Sequence, residues 1–405
     1  MTKGINDLQP ARLEQIIAAR GFSKGQLASL IDVSASTVTK WCKGDQAPEA
    51  STFERLALVL NVQSEWLTRP MLPRVSPPLY RSNAATLKTA RAKLEARSEW
   101  AQEIAVLLNE YVDYPKVSLP TRSFKDPEEI SNADIEEAAE ECRLLWQLGV
   151  GPIQDLVLAA ESAGIIVIRE RTDISAIEGL SSWSEVLNRP IVLLSSDKAN
   201  AFRSRFDLAH EIGHLILHKH IPKADELDRY NQMEKQAHRF AGAFLLPAQT
   251  FAREVRIPPN LDNLLILKQR WGASVAAMMM RLHALRLLSD EEKLALFKRR
   301  SARWGSKAEP GDEKWEPESP RLLRRTVELL INEGVLHAEG VLRFLGLSPR
   351  DVEQLCNMRE HYFDKPAQVV DLATLRVSKV DNKSVNGMNA GLGSVISFSK
   401  FRKQS

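Results

Sequence analysis

Two histidines lie four positions apart around a glutamate in the segment His210-Glu211-Ile212-Gly213-His214. The surrounding run from Phe206 to His218 is largely apolar and predicts a helix. Because residues four apart share one face of a helix, both imidazoles can hold the same metal ion. Glu211, beside them, can accept a proton from a water molecule that the metal activates. The spacing therefore predicts the centre of a zinc peptidase.

The alternative is a pair of surface or core histidines that bind no metal. Against it, five of the eight histidines fall between His210 and His238, a clustering that core packing does not require. Gly213 and Ala209 are small, so backbone or substrate can approach the helix closely there. The segment Ser204-Arg205-Phe206-Asp207 is similar to a capping box, which predicts a helix start that puts the histidines on the first full turns.

Zinc needs a third protein ligand and an open position for water, and Glu234 is the best candidate for that ligand. It begins a second helical pattern that ends at Pro247, and it lies within reach of the apolar face of that pattern. Because burying a bare carboxylate is costly, its position favours a bound partner. The alternative is a solvated acid at a helix N-terminus. The two-histidine, one-glutamate set favours zinc over manganese.

Three more histidines lie close to these residues in the sequence. His238 follows Glu234 by four positions and is predicted to orient a ligand rather than to serve as a fourth one. His218 and His220 are predicted to lie at the end of the first helix, where the helix dipole alone favours a histidine.

The two helical patterns resemble a known family through the residues Arg203, Arg205, Phe206, Leu208, Ala209, the HExxH segment, Glu234, Ala237, His238, Phe240, Ala241, Phe244 and Leu245-Leu246-Pro247. They are similar to the ImmA/IrrE metallopeptidases, which have a minimal thermolysin-like zincin fold and cut repressor proteins in response to DNA damage or mobile-element signals. The resemblance implies zinc on His210, His214 and Glu234, with Glu211 as the general base. Asp207 and His238 depart from the family pattern, but neither departure touches an implied ligand.

Residues 23–44 predict two short helices around a tight turn, with Ser23 and Ser34 as natural N-caps. The apolar spacing buries the inner faces of both helices. The pattern resembles the XRE-type helix-turn-helix of phage repressors, with departures at Lys24, Asp32 and Cys42 that leave the core pattern intact.

A recognition helix from Ser34 to about Cys42 would place its first turn in the major groove of double-stranded DNA. Ala35, Ser36, Thr37 and Lys40 are expected to face the bases, and Lys24 and Lys43 the phosphates. Ser34, which starts the helix, is also expected at the DNA. Residues 1–68 contain seven basic and seven acidic side chains, so their net charge is zero. A neutral head disfavours tight DNA binding by a monomer and favours binding as a dimer. The alternative is that this segment only holds a protein partner.

Composition argues against a membrane-spanning, secreted or disulfide-stabilised protein. The chain of 405 residues has a net charge of +3 and contains no apolar run of membrane-spanning length. The N-terminus lacks the apolar core of a signal peptide. Cys42, Cys142 and Cys356 lie far apart, which favours a reducing cytoplasm over a disulfide framework.

The expected fold class is α+β, mainly helical with a small sheet. Four regions are predicted: the helix-turn-helix head (1–68), a proline-containing linker with a long basic helix (69–133), the zinc metallopeptidase domain (134–300), and a helical C-terminal module with a mobile tail (301–405). A methionine-rich stretch at 268–282 mimics a second helix-turn-helix, but its stripe is more typical of core packing. Residues 309–318 are polar and acidic and predict a linker.

Three strand-like runs precede the HExxH helix, at 165–168, 177–183 and 191–194. An exposed edge strand can hold an extended peptide by backbone pairing, and the strand with Gly179 is the expected edge by analogy with the resembled family. The developing oxyanion needs a hydrogen-bond donor. The sequence leaves four candidates open for it: Arg203, Tyr230, His238 and His283.

These features predict a cytoplasmic regulator that joins a DNA-binding head to a zinc endopeptidase. The expected substrate is a repressor, an antitoxin or the chain itself, in a stress, phage or mobile-element response. The alternative is a transcription factor whose peptidase-like domain only senses a ligand or partner. A sensor would be free to lose its zinc-site residues, yet all of them are present.

Overall fold

The computed structural model describes residues 7–76, 85–171, 178–197, 199–222, 227–305 and 307–364. The start of the predicted basic helix at Asn83, the first residue of the second strand run, Ile177, and the predicted mobile tail from Asn382 lie outside these residues. The fold class is confirmed, because the described chain is mainly helical with one three-stranded sheet. No helix in the described ranges is long and apolar enough to span a membrane.

The N-terminal head is a bundle of short helices. Its elements are α1 (Pro10–Arg20), α2 (Lys24–Leu30), α3 (Ala35–Lys43), α4 (Ala50–Leu60) and a 3₁₀ helix (Ser64–Thr68). Ser23 forms a reciprocal capping box with Gln26 at the start of α2, and Ser34 accepts the backbone N–H of Thr37 at the start of α3. Both predicted caps are therefore present, and they set the turn between the two helices.

A long helix, α5 (Ala85–Leu108), packs along α1 of the head. Arg12 of α1 forms a buried ion pair with Glu103 of α5. Trp100 of α5 meets Trp66 edge-to-face, with ring centroids 5.6 Å apart. The linker helix is thus fixed to the head through both charge and aromatic packing.

The central region contains the sheet and most of the longer helices. Its elements are α6 (Asn132–Leu145), α7 (Leu156–Ser162), β1 (Ile166–Glu170), β2 (Gly179–Ser184), β3 (Arg189–Ser195), α8 (Ala201–Leu217), α9 (Leu227–Leu245), α10 (Ala248–Glu254), α11 (Leu261–Trp271), α12 (Val275–Ala284) and α13 (Asp290–Trp304). The strand order is β1-β3-β2, with β1 parallel and β2 antiparallel to β3. A short 3₁₀ helix (Pro127–Glu129) precedes α6. Met278 and Met279 of α12 are fully buried, as the core interpretation of the methionine stripe predicts, whereas Met280 is 52 % exposed.

The C-terminal helices α14 (Leu322–Asn332), α15 (Ala338–Leu345) and α16 (Pro349–Leu355) pack against the head and α5. Gln63 donates its backbone N–H to the carbonyl of Gly346 at 3.0 Å. Arg69 donates to the carbonyl of Phe344 at 2.8 Å. These helices share a core with the head although they are distant from it in sequence.

The sheet separates two hydrophobic cores. Residues on one face of β1 and β3, such as Ile168 and Leu193, join the core of the head and the C-terminal helices. Residues on the opposite face, such as Val167 and Val192, join the core of α8, α9 and their neighbours. Alternation along the strands produces this division, because successive side chains point to opposite faces.

The acidic segment after α13 differs from the predicted linker, because its carboxylates are bound to the central region. Glu309 accepts backbone N–H groups at the start of α12, and Glu318 does the same at the start of α7. Glu318 also pairs with Arg205, and Lys268 pairs with Asp312. Backbone N–H groups at helix N-termini and buried cations stabilise the ionised carboxylates of this segment. The segment is therefore packed on the central region and is not a free linker.

Candidate metal centre and nucleic-acid surface

Helix α8 carries the three residues of the HExxH segment, and it begins earlier than predicted. Asn200 is its N-cap and accepts the backbone N–H of Arg203 at 2.9 Å. The predicted start at Ser204 is wrong, because Ser204 and Arg205 lie inside the helix with buried side chains. His210 consequently lies on the third turn, in the part of α8 that packs between α9 and the sheet.

Close packing of α9 on α8 brings Glu234 to the two histidines. A Cβ atom on Gly213 would lie 3.1 Å from Cδ1 of Phe240, which is fully buried on α9. The two helices can approach this closely only because position 213 has no side chain. The small residue within the HExxH segment therefore determines the distance between its histidines and Glu234.

The three predicted ligands converge on one point. The Nε2 atoms of His210 and His214 are 3.0 Å apart. Glu234 Oε1 lies 3.2 Å from Nε2 of His214, and Oε2 lies 3.6 Å from Nε2 of His210. Tetrahedral zinc with Zn–N bonds of about 2.0–2.1 Å holds its ligand atoms about 3.3 Å apart. In the described ranges, these three residues form the one group of His, Cys, Asp or Glu side chains that is arranged to hold a metal. Two imidazoles and one carboxylate are a donor set that fits zinc.

The electrostatics of the centre favour the protonation states that metal ligands need. Burial lowers the pKa of His210 well below its usual range, and the neighbouring His214 and His238 lower it further. Burial alone raises the pKa of Glu234, but its contacts with His214, His210 and Tyr230 outweigh it and bring the pKa to about 2. A neutral imidazole and an ionised carboxylate are the forms that bind a metal.

Glu211 is buried against β2, on the opposite side of α8 from Phe240. Burial raises its pKa, and a hydrogen bond from Ser181 opposes that rise. A Cβ atom on Gly179 would lie only 3.1 Å from Glu211 Oε1. A carboxylate whose pKa is raised is a stronger base than an exposed one, which suits the acceptance of a proton.

The recognition helix α3 exposes the side chains expected at DNA. Ser34, Ala35, Ser36, Lys40 and Lys43 are exposed, while Thr37 and Lys24 are half-buried. The hydroxyl of Ser34 lies 2.8 Å from those of both Ser36 and Thr37, and Nζ of Lys24 lies 3.3 Å from Oε1 of Glu14. Lys40 and Lys43 are thus the exposed cations of this helix, and a contact of any of these residues with DNA stays a prediction.

Comparison with protein families matches two separate parts of the chain. Residues 160–283 match the model of the IrrE N-terminal-like domain, and residues 13–67 match that of a helix-turn-helix. The chain joins an XRE-type helix-turn-helix to an ImmA/IrrE-like peptidase domain. The first match contains every residue of the metal centre, and the second contains the whole of α3. A search of curated proteins gave no match.

The IrrE-like domain has β2 at one edge of its described strands, which is where the edge strand was expected. Gly179, Ser181 and Trp183 alternate with residues whose backbone groups face β3, so their N–H and C=O groups point outward. Ser76 already occupies the last of these positions: its N–H donates to the carbonyl of Trp183 at 2.9 Å. The chain's own linker therefore covers the end of β2 that is distant from Glu211.

The four oxyanion candidates line one cleft of about 2390 Å³ together with the metal centre. Arg203 pairs with Glu178, and His283 lies 3.0 Å from Asp290. Tyr230 hydrogen-bonds Glu234 and thereby contributes to lowering its pKa. The geometry brings these side chains to the cleft without selecting one of them as the donor.

His238 is exposed, and its ring centroid lies 4.4 Å from that of His210. Its Nδ1 atom is 2.7 Å from the backbone oxygen of Glu234. It therefore contacts one predicted ligand through its ring and the backbone of another. Its predicted role as an orienting residue is untested.

His218 has a more specific environment than the predicted dipole effect requires. It does lie at the C-terminus of α8, but its side chain is buried and its Nδ1 atom is 2.9 Å from Nδ1 of His214. Its Nε2 atom is 3.0 Å from Gln236 Oε1 on α9. Burial lowers the pKa of His218 to about 3. The sequence signal for this contact was the spacing, because His218 follows His214 by four residues just as His214 follows His210. His220, in contrast, is exposed.

Proposed function

We propose that this chain is a DNA-binding regulator whose IrrE-like domain is a zinc-dependent endopeptidase. The supporting observation is the convergence of His210, His214 and Glu234 beside the buried carboxyl group of Glu211. Two imidazoles, one carboxylate and a separate proton acceptor make up the machinery of metal-assisted peptide hydrolysis.

The three converging residues would hold the zinc, which when bound polarises a carbonyl group and acidifies water. Glu211 would accept the proton of the attacking water and pass it to the nitrogen of the leaving amine. The raised pKa of Glu211, caused by burial, supports the first step because it makes the carboxylate a stronger base than an exposed glutamate. Its hydrogen bond with Ser181 would hold the carboxyl group in place from the first proton transfer to the second.

The substrate would be an extended peptide segment paired with β2. The outward-facing backbone groups of Gly179 and Ser181 lie on the strand that adjoins Glu211, so a paired segment would bring its amide bonds past the catalytic carboxyl group. Because Ser76 covers the Trp183 end, the pairing would use the Gly179 end of the strand.

The protein cut would be a repressor or antitoxin type of protein, or this chain itself. A DNA-binding domain in the same chain supports this class, because it would bring the peptidase to proteins bound at DNA. The exposed Lys40 and Lys43 of α3 would contact double-stranded DNA, with two copies of the chain on two half-sites.

The test compares wild-type protein with Glu211→Gln, which removes the proton acceptor but keeps the shape of the side chain. Each is expressed in full length with tagged repressors encoded beside it, under DNA damage and without it. We expect fragments only with the wild type, while zinc content and gel shifts of the chain's own promoter are unchanged in the variant. Intact repressors in every sample would contradict the proposal.

A second candidate is a transcription factor whose peptidase-like domain acts as a sensor. One observation favours it: Arg97 of α5 pairs with Glu170 of β1 and with Asp351 of α16, each at 2.5 Å. Asp351 also pairs with Arg20 of the head, so sheet and head share one buried charge cluster. Under this candidate, Glu211→Gln leaves the transcriptional response unchanged.

A further inference from the structure

We infer that His218 and Gln236 are positioning residues that fix the tautomer of the metal ligand His214. They hold the proton of His214 on Nδ1, so that the lone pair of Nε2 faces the metal. This inference rests on the metal centre of the proposed function. It goes beyond that function because it assigns a role to two residues outside the ligand set.

The chain of hydrogen bonds starts at two backbone carbonyls. Gln236 Nε2 lies 2.7 Å from the carbonyl oxygen of Pro127 and 3.3 Å from that of Ile130. A carbonyl oxygen can only accept, so the amide nitrogen of Gln236 must face these two groups. Its Oε1 atom therefore faces His218, at 3.0 Å from Nε2.

The orientation of the amide dictates which nitrogen of His218 carries the proton. Because Gln236 Oε1 is an acceptor, His218 Nε2 must donate to it. His218 is 3 % exposed and its hydrogen bonds run to the neutral Gln236 and to His214, so the neutral ring is favoured. A neutral imidazole donates from one nitrogen only, which leaves the lone pair of Nδ1 facing His214 at 2.9 Å.

The same reasoning applies once more at His214. Its Nδ1 atom must donate to the lone pair of His218, so the Nε2 atom is the one available to a metal. That atom lies 3.0 Å from His210 Nε2 and 3.2 Å from Glu234 Oε1. A cation between these three atoms would accept the lone pair of His214 Nε2.

Hydrogen bonds to the second nitrogen of a histidine ligand orient the ring, and their loss typically weakens metal binding about 10–100-fold. The partner is most often a carboxylate or a carbonyl, whereas here it is a histidine whose own tautomer is set by Gln236. If His218 acted only by packing against His214, an apolar side chain of similar size would support metal binding equally well.

The first experiment measures zinc affinity of the full-length chain by competition with a chelator. His218→Leu keeps much of the side-chain volume but has no lone pair, and we expect its zinc Kd to rise about 10–100-fold. His218→Asn supplies an amide oxygen close to the position of Nδ1 and should recover part of the loss. His220→Ala, at the exposed histidine two residues on, is the control and should bind like the wild type.

A spectroscopic reading separates positioning from packing. With Co²⁺ in place of zinc, His218→Leu should shift the visible absorption bands, because the ring of His214 is no longer fixed. Zinc affinity and cobalt bands equal to those of the wild type would overturn the inference and leave the proposed function intact. A wild-type protein that binds neither ion would overturn both.

A measurement on the unsubstituted protein covers the case in which His218→Leu does not fold. In the metal-free wild type, ¹⁵N chemical shifts of the imidazoles report which ring nitrogen carries a proton. We expect His218 protonated on Nε2 alone and His214 protonated on Nδ1. A proton on Nδ1 of His218 would overturn the inference.

Discussion

Ser76 and Trp183 are joined by two hydrogen bonds at the edge of the sheet. The N–H of Ser76 donates to the carbonyl of Trp183 at 2.9 Å, and the N–H of Trp183 donates to the hydroxyl of Ser76 at 2.6 Å. Lys219, just past the end of α8, lies 3.3 Å from the centroid of the Trp183 ring. The linker, the edge strand and the helix of the metal centre therefore meet at one residue.

We predict that Ser76→Pro releases this end of β2. Proline removes both the N–H donor and the hydroxyl acceptor, each worth about 1 kcal/mol, so the amide of Trp183 should exchange its hydrogen about fivefold faster or more. Cleavage of an extended test protein such as casein should also become faster, because more of the edge is open. Ser76→Ala, which keeps the N–H, should show a smaller effect. Unchanged exchange at Trp183 would contradict the prediction.

Gly179→Val should impair catalysis without removing the metal. A Cβ atom at this position would lie 3.1 Å from Glu211 Oε1 and 3.2 Å from the carbonyl oxygen of Leu193, so the carboxyl group must move. Because displacements of about 1 Å at a reacting group can cost about 100-fold in rate, we expect kcat to fall by one to two orders of magnitude. Zinc content serves as the control and should match the wild type. Full activity with bound zinc would argue against a catalytic role of Glu211.

Ser181→Ala should move the acidic limb of the pH–rate profile to higher pH. The hydrogen bond from Ser181 stabilises the ionised form of Glu211 and so opposes the rise in pKa that burial causes. Without it, the pKa of Glu211 rises further, and the base becomes available only at a higher pH. The measurement is kcat/KM against pH at saturating zinc. A limb that stays in place or moves to lower pH would refute this account of the Glu211 environment.

Arg97→Met should strongly destabilise the fold, because it leaves Glu170 buried without its partner. Loss of one member of a buried pair costs about 3–5 kcal/mol in the free energy of unfolding. Burial raises the pKa of Glu170 above that of the unfolded chain, and Arg97 opposes this rise. The unfolded chain therefore releases this proton first as pH rises, so the loss should be larger at neutral pH than near about pH 4.

The control for this prediction is Arg303→Met, which breaks a 2.8 Å pair with Asp262 whose side chains are 52 % and 71 % exposed. Exposed pairs contribute about 0–1 kcal/mol, so this variant should unfold almost like the wild type. Equal losses in Arg97→Met and Arg303→Met, measured by denaturant titration, would show that the cluster around Arg97 is not a stabilising contact.

The parts of the fold that depend on local signals could be predicted from the sequence. Ser23 and Ser34 are caps that favour helix starts on their own, and four-residue spacing predicts a shared face for His210 and His214. The start of α8 was predicted wrongly because Ser204 is also a good cap residue, and only the buried position of its side chain favours Asn200 over it. Local propensity does not include such packing.

Contacts between distant segments could not be predicted in this way. Glu318 caps α7 from a position 162 residues away, and nothing near either residue signals the pairing. The contact of His218 with Gln236 depends in the same way on the close approach of α8 and α9. The packing of α14–α16 on the head likewise depends on a surface that exists only after folding.

Zinc content of the purified full-length chain, measured by elemental analysis beside His210→Ala and Glu234→Ala, tests the central claim most directly. The account predicts stoichiometric zinc in the wild type and a clear loss in both variants, because each removes one of three converging ligands. A wild-type chain that contains no zinc even after reconstitution would contradict the metallopeptidase account and leave the DNA-binding sensor as the remaining candidate.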